Sequence, residues 1–429
     1  MGIVVSPWVA TPVPWYSIAI GMGLARRGRR VTLIHDDTLT APESPAELLP
    51  QHRAICRVTQ LLTGHLPTIT LTSQAVHALS PADEHEVARL AKLIVIWKTR
   101  GALLSASDLA EVESLARSMA DTLGRIKALL GSAPFAYLLV GGGIYGSSGL
   151  FLWAGQQCGL RVSTFDANLG VVQISTVGLA AQQADIPRAF SEAIRWDSVT
   201  KARALQEARH HLDQRVQAKD PAQYQVTASS NASARRIRPP FALVAMNVEH
   251  DAAALGRHVT FADTMEWILE VTDFVLEHTS NASVVVRQHP AERKPNEGSQ
   301  FPIRRVLSER YGSEPRVVFI SAAEPVNTYD LVSEAAMVLP YVSTIGIEAA
   351  ALGKPVLVSG QSCYSDLGFV RTAASRGEYF ELLRRGLNAD LELLPDQVEK
   401  ALLCYYLTPV CNRIWTQFTP QPRDFWRWQ

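Results

Sequence analysis

The 429-residue sequence predicts an α/β protein made of two parallel-sheet halves. Strand–helix–strand alternation opens the chain, and the same alternation restarts at Phe241. Between them lies a stretch with no apolar period, which reads as a linker.

In the first half, Ile3-Val4-Val5 is a short buried strand. Trp15, Ile18, Ala19 and Met22 then fall at i, i+3, i+4 and i+7 of a helix, and Val31 to Ile34 is the next strand, ending at His35-Asp36-Asp37. The loop from Pro7 to Pro14 is too proline-rich for a glycine phosphate turn and reads as an extended or hinge loop. Without a glycine fingerprint, Asp36 is not read as a ribose ligand. Residues from about 80 to 130 are amphipathic and helical. Tyr137 to Val140 is a strand running into Gly141-Gly142-Gly143, where bare backbone can approach a ligand closely. A helix around Gly149 to Cys158 and a strand from Arg161 to Asp166 follow, and Asp166 at that strand's end is an acid/base candidate.

Residues 200–217 form a charged helical stretch that closes a first domain, 1–217. Residues 218–240 are the linker, ending in Pro239-Pro240. The second domain, 241–400, carries strands at Phe241–Ala245, Ser283–Val286, Arg316–Ile320, Ala336–Leu339 and Pro355–Val358, with a helix from Thr264 to Glu277. Residues 401–429 form a helical, aromatic tail whose Trp415, Phe418, Phe425, Trp426 and Trp428 are expected to dock the last helix or touch a membrane surface. The expected architecture is two Rossmann-like domains facing across a cleft, with ligands at the C-terminal strand ends.

Composition narrows the function. Forty-one basic against 41 acidic residues exclude a uniform field for gathering nucleic acid. Five cysteines with no CxxC pair argue against a disulfide framework or a zinc knuckle and fit a reducing compartment. The opening residues lack the basic start and apolar core of a signal peptide, and no uninterrupted apolar run reaches membrane-spanning length. A cytoplasmic protein is expected.

Three segments of the second domain carry chemistry. In Ser343-Thr344-Ile345-Gly346-Ile347-Glu348, a hydroxyl caps a helix that Gly353 ends, an arrangement suited to a phosphate. Glu348 falls over the same face, where a carboxylate accepts from a ribose diol. In Val286-Arg287-Gln288-His289-Pro290, the imidazole beyond a buried strand can donate to a phosphate oxygen, Pro290 fixes the chain's exit and Arg287 adds charge. Asn247-Val248-Glu249-His250-Asp251 places two carboxylates at a strand end, able to act as base or nucleophile. Asn327 to Asp330 reads mainly as a helix cap.

In combination and order, from Phe241 to about Val370, these segments resemble the capsule-polysaccharide biosynthesis family, which includes bacterial Kdo transferases of GT-B fold. The resemblance rests on the acidic loop from Asn247 to Asp251, the His289-Pro290 motif, the Ser-Thr-x-Gly-x-Glu-Ala helix with Gly353-Lys354-Pro355, and the loop from Gly360 to Gly368. The histidine–proline and hydroxyl pairs are also similar to those of bacterial sialyltransferases, whose donors are CMP-sugars. The resemblance implies glycosyl transfer from a nucleotide-activated sugar, itself a substrate, with no cofactor and no metal. It implies donor binding by His289, Pro290, Arg287, Ser343, Thr344, Gly346 and Glu348, with Asp251, then Glu249, as catalytic carboxylate and His289 assisting. Gly141, Gly142, Gly143 and Asp166 would lie on the acceptor side, toward a glycan or glycolipid at the inner face of the cytoplasmic membrane. Asn247 and His250 depart from the glutamine and small residue expected at their positions. A nucleotide-sugar epimerase or hydrolase on the same fold, or a non-catalytic assembly partner, are the alternatives.

Overall fold

In the computed structural model, which describes residues 1–9, 11–41, 44–168, 170–219, 237–293 and 298–417, the chain divides into two units. One is Met1–Asp185 joined by the segment from Asn412, the other Ile186–Cys411. The first runs β1 (Gly2–Val5), α1 (Val13–Arg26), β2 (Thr32–His35), α2 (Pro45–Leu61), β3 (Thr68–Thr70), α3 (Pro81–Lys98), α4 (Ala106–Ser132), β4 (Tyr137–Gly141), α5 (Ser147–Gln157), β5 (Arg161–Asn168) and β6 (Val171–Ser175). The second runs α6 (Ile186–Ala193), α7 (Ser198–Val216), β7 (Phe241–Ala245), α8 (Thr264–His278), β8 (Ser283–Arg287), α9 (Ile303–Tyr311), β9 (Val317–Ile320), α10 (Thr328–Glu334), β10 (Met337–Pro340), α11 (Ile345–Ala351), α12 (Arg376–Leu387) and α13 (Pro395–Tyr405). A last strand, β11 (Ile414–Trp415), returns to the first unit.

The first unit's sheet has the order β11-β6-β5-β4-β1-β2-β3, with β3, β2, β1, β4 and β5 parallel and the β5–β6 and β6–β11 pairs antiparallel. Strand order reverses between β1 and β4. Ile3, Val5, Leu33, Leu139 and Phe165 bury one face against α1. The expected helical stretch from 80 to 130 is broken, because Arg100 and Gly101 take left-handed conformations at φ 51° and 75°. Ser105 and Asp108 then start α4 with a reciprocal capping box.

The second unit's sheet, β10-β7-β8-β9, is parallel throughout, and its order reverses between β7 and β10. Period-two alternation sends Phe241, Leu243 and Ala245 into a core with α6, α7, α11 and α13, and Ala242, Val244 and Met246 into a second core with α8 and α12. Burial on both faces explains the unbroken apolar reading of β7 and β8.

The boundary differs from the one expected at residue 217. Phe190, Ala204, Leu205, Ala208 and Leu212 of α6 and α7 share a core with Phe241 and Leu243, so residues 186–217 belong to the second unit. A polar-rich helix gives no sequence sign of which sheet its apolar stripe covers. Most of the expected linker, 220–236, lies outside the described residues. The expected tail is likewise divided: 401–411 complete the second unit, while Ile414 and Trp415 pair with β6. Trp415 is 69% exposed on that edge strand and docks no helix. Phe418, Phe425, Trp426 and Trp428 lie outside the described residues. Pro355 to Val358 pairs beside β10 through a single parallel bridge, Val338 to Val356, and forms no regular strand. Among the described residues no helix is long and apolar enough to cross a membrane.

Candidate functional site

Both sheets open a cleft where their strand order reverses, which is where open parallel sheets place ligands. In the second unit this cleft encloses about 480 Å3, part of it open to solvent. Ala245 at the end of β7 and Met246 beyond it, Gln288, His289 and Pro290 after β8, and Ser343, Thr344 and Ile345 after β10 line it, with Arg215, Arg287, Thr328, Tyr329 and Glu348 completing the wall. The chain thus brings together every expected donor-side residue except Gly346.

His289 accepts a hydrogen bond at Nδ1 from the Ala291 N–H, at 3.2 Å. A neutral ring accepting there carries its proton on Nε2. Burial pushes the imidazole down to about 4, and the charges of Arg287 and Arg215 act in the same direction. At neutral pH His289 is therefore an uncharged donor.

Arg287 is 2% exposed, and burial draws it down to about 10, so it stays charged at neutral pH. Its guanidinium donates to the Ser321 and Val326 carbonyls, the latter at 3.0 Å. It clamps the loop after β9 while adding positive field to the cleft.

Glu348 is 3% exposed. Arg215 Nη1 lies 3.0 Å from its Oε1, and the Tyr329 hydroxyl donates to its Oε2 at 2.9 Å. Burial and the Glu348 charge hold the Tyr329 phenol well above its ordinary value, so it remains a donor. Two guanidiniums against one carboxylate give the cleft one net positive charge.

The hydroxyl pair behaves differently from expectation. Thr344 is the residue before α11, yet neither side chain makes a capping hydrogen bond, and Thr344 is exposed on the cleft wall. Gly353, at φ 82°, does end the helix, as Lys354 N–H reaches back to the Ala349 carbonyl at 2.9 Å. Gly346 serves packing: a side chain there would strike the Tyr364 hydroxyl, which donates to the Ser343 carbonyl at 2.6 Å.

The acidic loop after β7 sits to one side of this lining. The Asn247 side chain accepts from the Val342 N–H at 3.2 Å, joining the two strand-end loops. Burial pushes Glu249 up to about 8 against a hydrogen bond from Thr264, and the carboxyls of Glu292 and Asp263 raise it further. Glu292 is itself pushed up to about 7 by burial, against bonds from Gln288 and Ser299. A carboxyl raised this far keeps its proton to higher pH than an ordinary glutamate. Asp251 is exposed and accepts from the Ala253 N–H at 3.0 Å, which fixes the turn that follows.

In the first unit, the corresponding cleft is lined by Ser6, Trp8, Thr40, Gly141, Tyr145, Gly146 and Ser147, among others. Gly141 lies against Val13 and Phe165, where no side chain fits. Gly142 and Gly143, at φ 77° and 105°, shape the turn behind the lining, their N–H groups donating to the Phe165 carbonyl and to the Ser148 hydroxyl. Asp166 corrects the sequence reading. It lies inside β5, opposite Gln173 of β6, and is exposed away from the lining, because β5 runs on into a hairpin. Asp36, buried and raised by desolvation, accepts from Ser147 and Thr38 and ties the β2 and β4 ends together.

The sequence reading missed Arg215 and Tyr329. Arg215 comes from a helix assigned to the other domain, and Tyr329 hides in a segment that reads as a cap, which Asn327 does provide at 2.9 Å.

Residues 192–382 match the family described as "Capsule polysaccharide biosynthesis protein". The matched residues lie within the second unit. Over 179 residues the chain is 30% identical to Protein FixF of Sinorhizobium fredii, a match covering 40% of this chain and 39% of that protein. The chain therefore spans about two fifths of the length of that relative. Among solved structures it is distantly similar to two Kdo transferase structures from Thermosulfurimonas dismutans KpsC. The β-Kdo 2,7 transferase is 17% identical, with 72% of this chain and 88% of that one covered and a TM-score of 0.34. The β-Kdo 2,4 transferase is 14% identical, with 63% and 87% covered and a TM-score of 0.38. A UDP-GlcNAc 2-epimerase from Neisseria meningitidis, bound to UDP-GlcNAc, is 14% identical with 94% of each chain covered and a TM-score of 0.29.

Proposed function

We propose that this chain is a glycosyltransferase of bacterial surface-polysaccharide assembly, acting at the inner face of the cytoplasmic membrane. Its donor is a CMP-activated sugar, Kdo or a related acid, held in the second unit. Its glycan or glycolipid acceptor binds the first. The observation that carries this reading is the second-unit cleft, where a neutral His289, two guanidiniums, two hydroxyl-bearing loop residues and a fixed carboxylate meet at the sheet's reversal point.

In this mechanism His289 Nε2–H donates to a phosphate oxygen, while Arg215 and Arg287 stabilise the charge that develops as the nucleotide leaves. Ser343 and Thr344 hydroxyls bind the phosphate, and Glu348, oriented by Arg215 and Tyr329, accepts from the ribose diol. Asp251 takes the proton of the acceptor hydroxyl as its oxygen bonds to the anomeric carbon and the bond to the phosphate breaks. No metal takes part in the transfer. Release of CMP from CMP-Kdo, measured with and without polysaccharide termini, tests this. Acceptor-dependent release is expected. Release without any acceptor would favour an epimerase or hydrolase, and tight binding without turnover a non-catalytic partner.

A further inference from the structure

In the first unit, the His35 ring at the end of β2 faces one turn pair of α2, His52 and Cys56, spaced i, i+4 and so on one helix face. One ligand atom from each of the three lies within 4.8 Å of the others. Cys56 Sγ and His52 Nε2 are 3.6 Å apart. Zinc–sulfur and zinc–nitrogen bonds of about 2.3 and about 2.0 Å at a tetrahedral angle place those two atoms about 3.5 Å apart. His35 is 2% exposed, and its Nε2 has no hydrogen-bond partner. A buried imidazole nitrogen without a partner bears a desolvation penalty that coordination would remove.

We infer that His35, His52 and Cys56 form a binding site for a borderline divalent cation of the zinc class. Two imidazoles and a thiolate suit such an ion, with water completing a fourth position, and binding releases the Cys56 thiol proton to solvent. The sequence expectation of no metal missed it because the ligands are divided between a strand end and a helix, with no paired-cysteine spacing. The site ties α2 to the sheet edge. Gln51, beside His52, holds Trp8 by both backbone groups, at 2.5 and 3.1 Å, and Trp8 lines the first-unit cleft. The ion therefore fixes one wall of that cleft and is separate from the donor-side chemistry.

Cobalt titration of the full, metal-stripped chain tests the assignment. One equivalent is expected to bind with a thiolate charge-transfer band that Cys56→Ala abolishes, and His52→Ala should weaken binding at least about 100-fold, more than loss of an outer-shell contact. Wild-type chain gives a second readout that needs no variant to fold. Zinc should slow alkylation of Cys56 by roughly 10-fold or more, because the coordinated sulfur is no longer a free nucleophile, while exposed Cys158 is unaffected. No band in the wild type, a band that persists in Cys56→Ala, or equal alkylation of Cys56 with and without zinc would overturn the site.

Discussion

Glu249→Gln separates the two carboxylates of the acidic loop. In the folded chain burial lifts Glu249 from 4.5 to about 8, and its Oε1 has no hydrogen-bond partner. In the unfolded chain it ionises near its ordinary value. The group's stabilising contribution is thus complete below pH 4.5 and is lost as pH rises through about 8. At 1.36 kcal/mol per pH unit, the rise corresponds to at most about 5 kcal/mol. Glutamine keeps the shape and the bond to Thr264 but does not titrate. The variant should match wild type at pH 4.5 and exceed it by several kcal/mol at pH 8.5. Glu292, pushed up to about 7, is present in both proteins, so its own titration cancels in the difference. Urea unfolding of both proteins across that range is the assay. A stability difference that stays flat with pH would refute the reasoning and return Glu249 to the set of ionised bases.

Further outcomes follow from the cleft. Glu348→Ala removes the buried carboxylate that Arg215 and Tyr329 share and should cost about 3 kcal/mol of unfolding free energy, whereas an apolar replacement of both Glu348 and Arg215 should recover most of it by thermal denaturation. His289→Ala should leave the circular dichroism spectrum unchanged and lower turnover by about 100-fold, the usual loss for one oxyanion donor; unchanged turnover removes it from the site. Asp251→Asn should abolish acceptor-dependent release of CMP while CMP binding, followed by calorimetry, persists. Gly346→Ala should cost about 1–3 kcal/mol in chemical unfolding, because the new methyl displaces the Tyr364 hydroxyl.

Much of the fold was legible because buried parallel strands such as Phe241–Ala245 read as unbroken apolar runs, bounded by helices of the opposite period. The lining of the second-unit cleft was legible for a related reason: residues at the ends of β8 and β10 occupy the sheet's C-terminal edge whatever the loops do. What stayed hidden depends on tertiary contact. The stripe of α7 that carries Arg215 to Glu348 is set by packing, and no local pattern shows which half it joins. Asp166 read as a strand end because nothing in Arg161–Asp166 announces the hairpin that prolongs β5. Ser343 and Thr344 fitted a cap by residue type, yet their backbone leaves the hydroxyls on the cleft wall.

Nucleotide binding tests the central claim most directly. In thermal denaturation with CMP, UDP, GDP and ADP, a ligand at about 100 times its dissociation constant adds about 2.7 kcal/mol to the folded state. The account predicts selective stabilisation by CMP, lost in His289→Ala. Stabilisation by UDP or GDP instead would contradict the CMP donor, and no stabilisation by any nucleotide would contradict the second-unit cleft as a donor site.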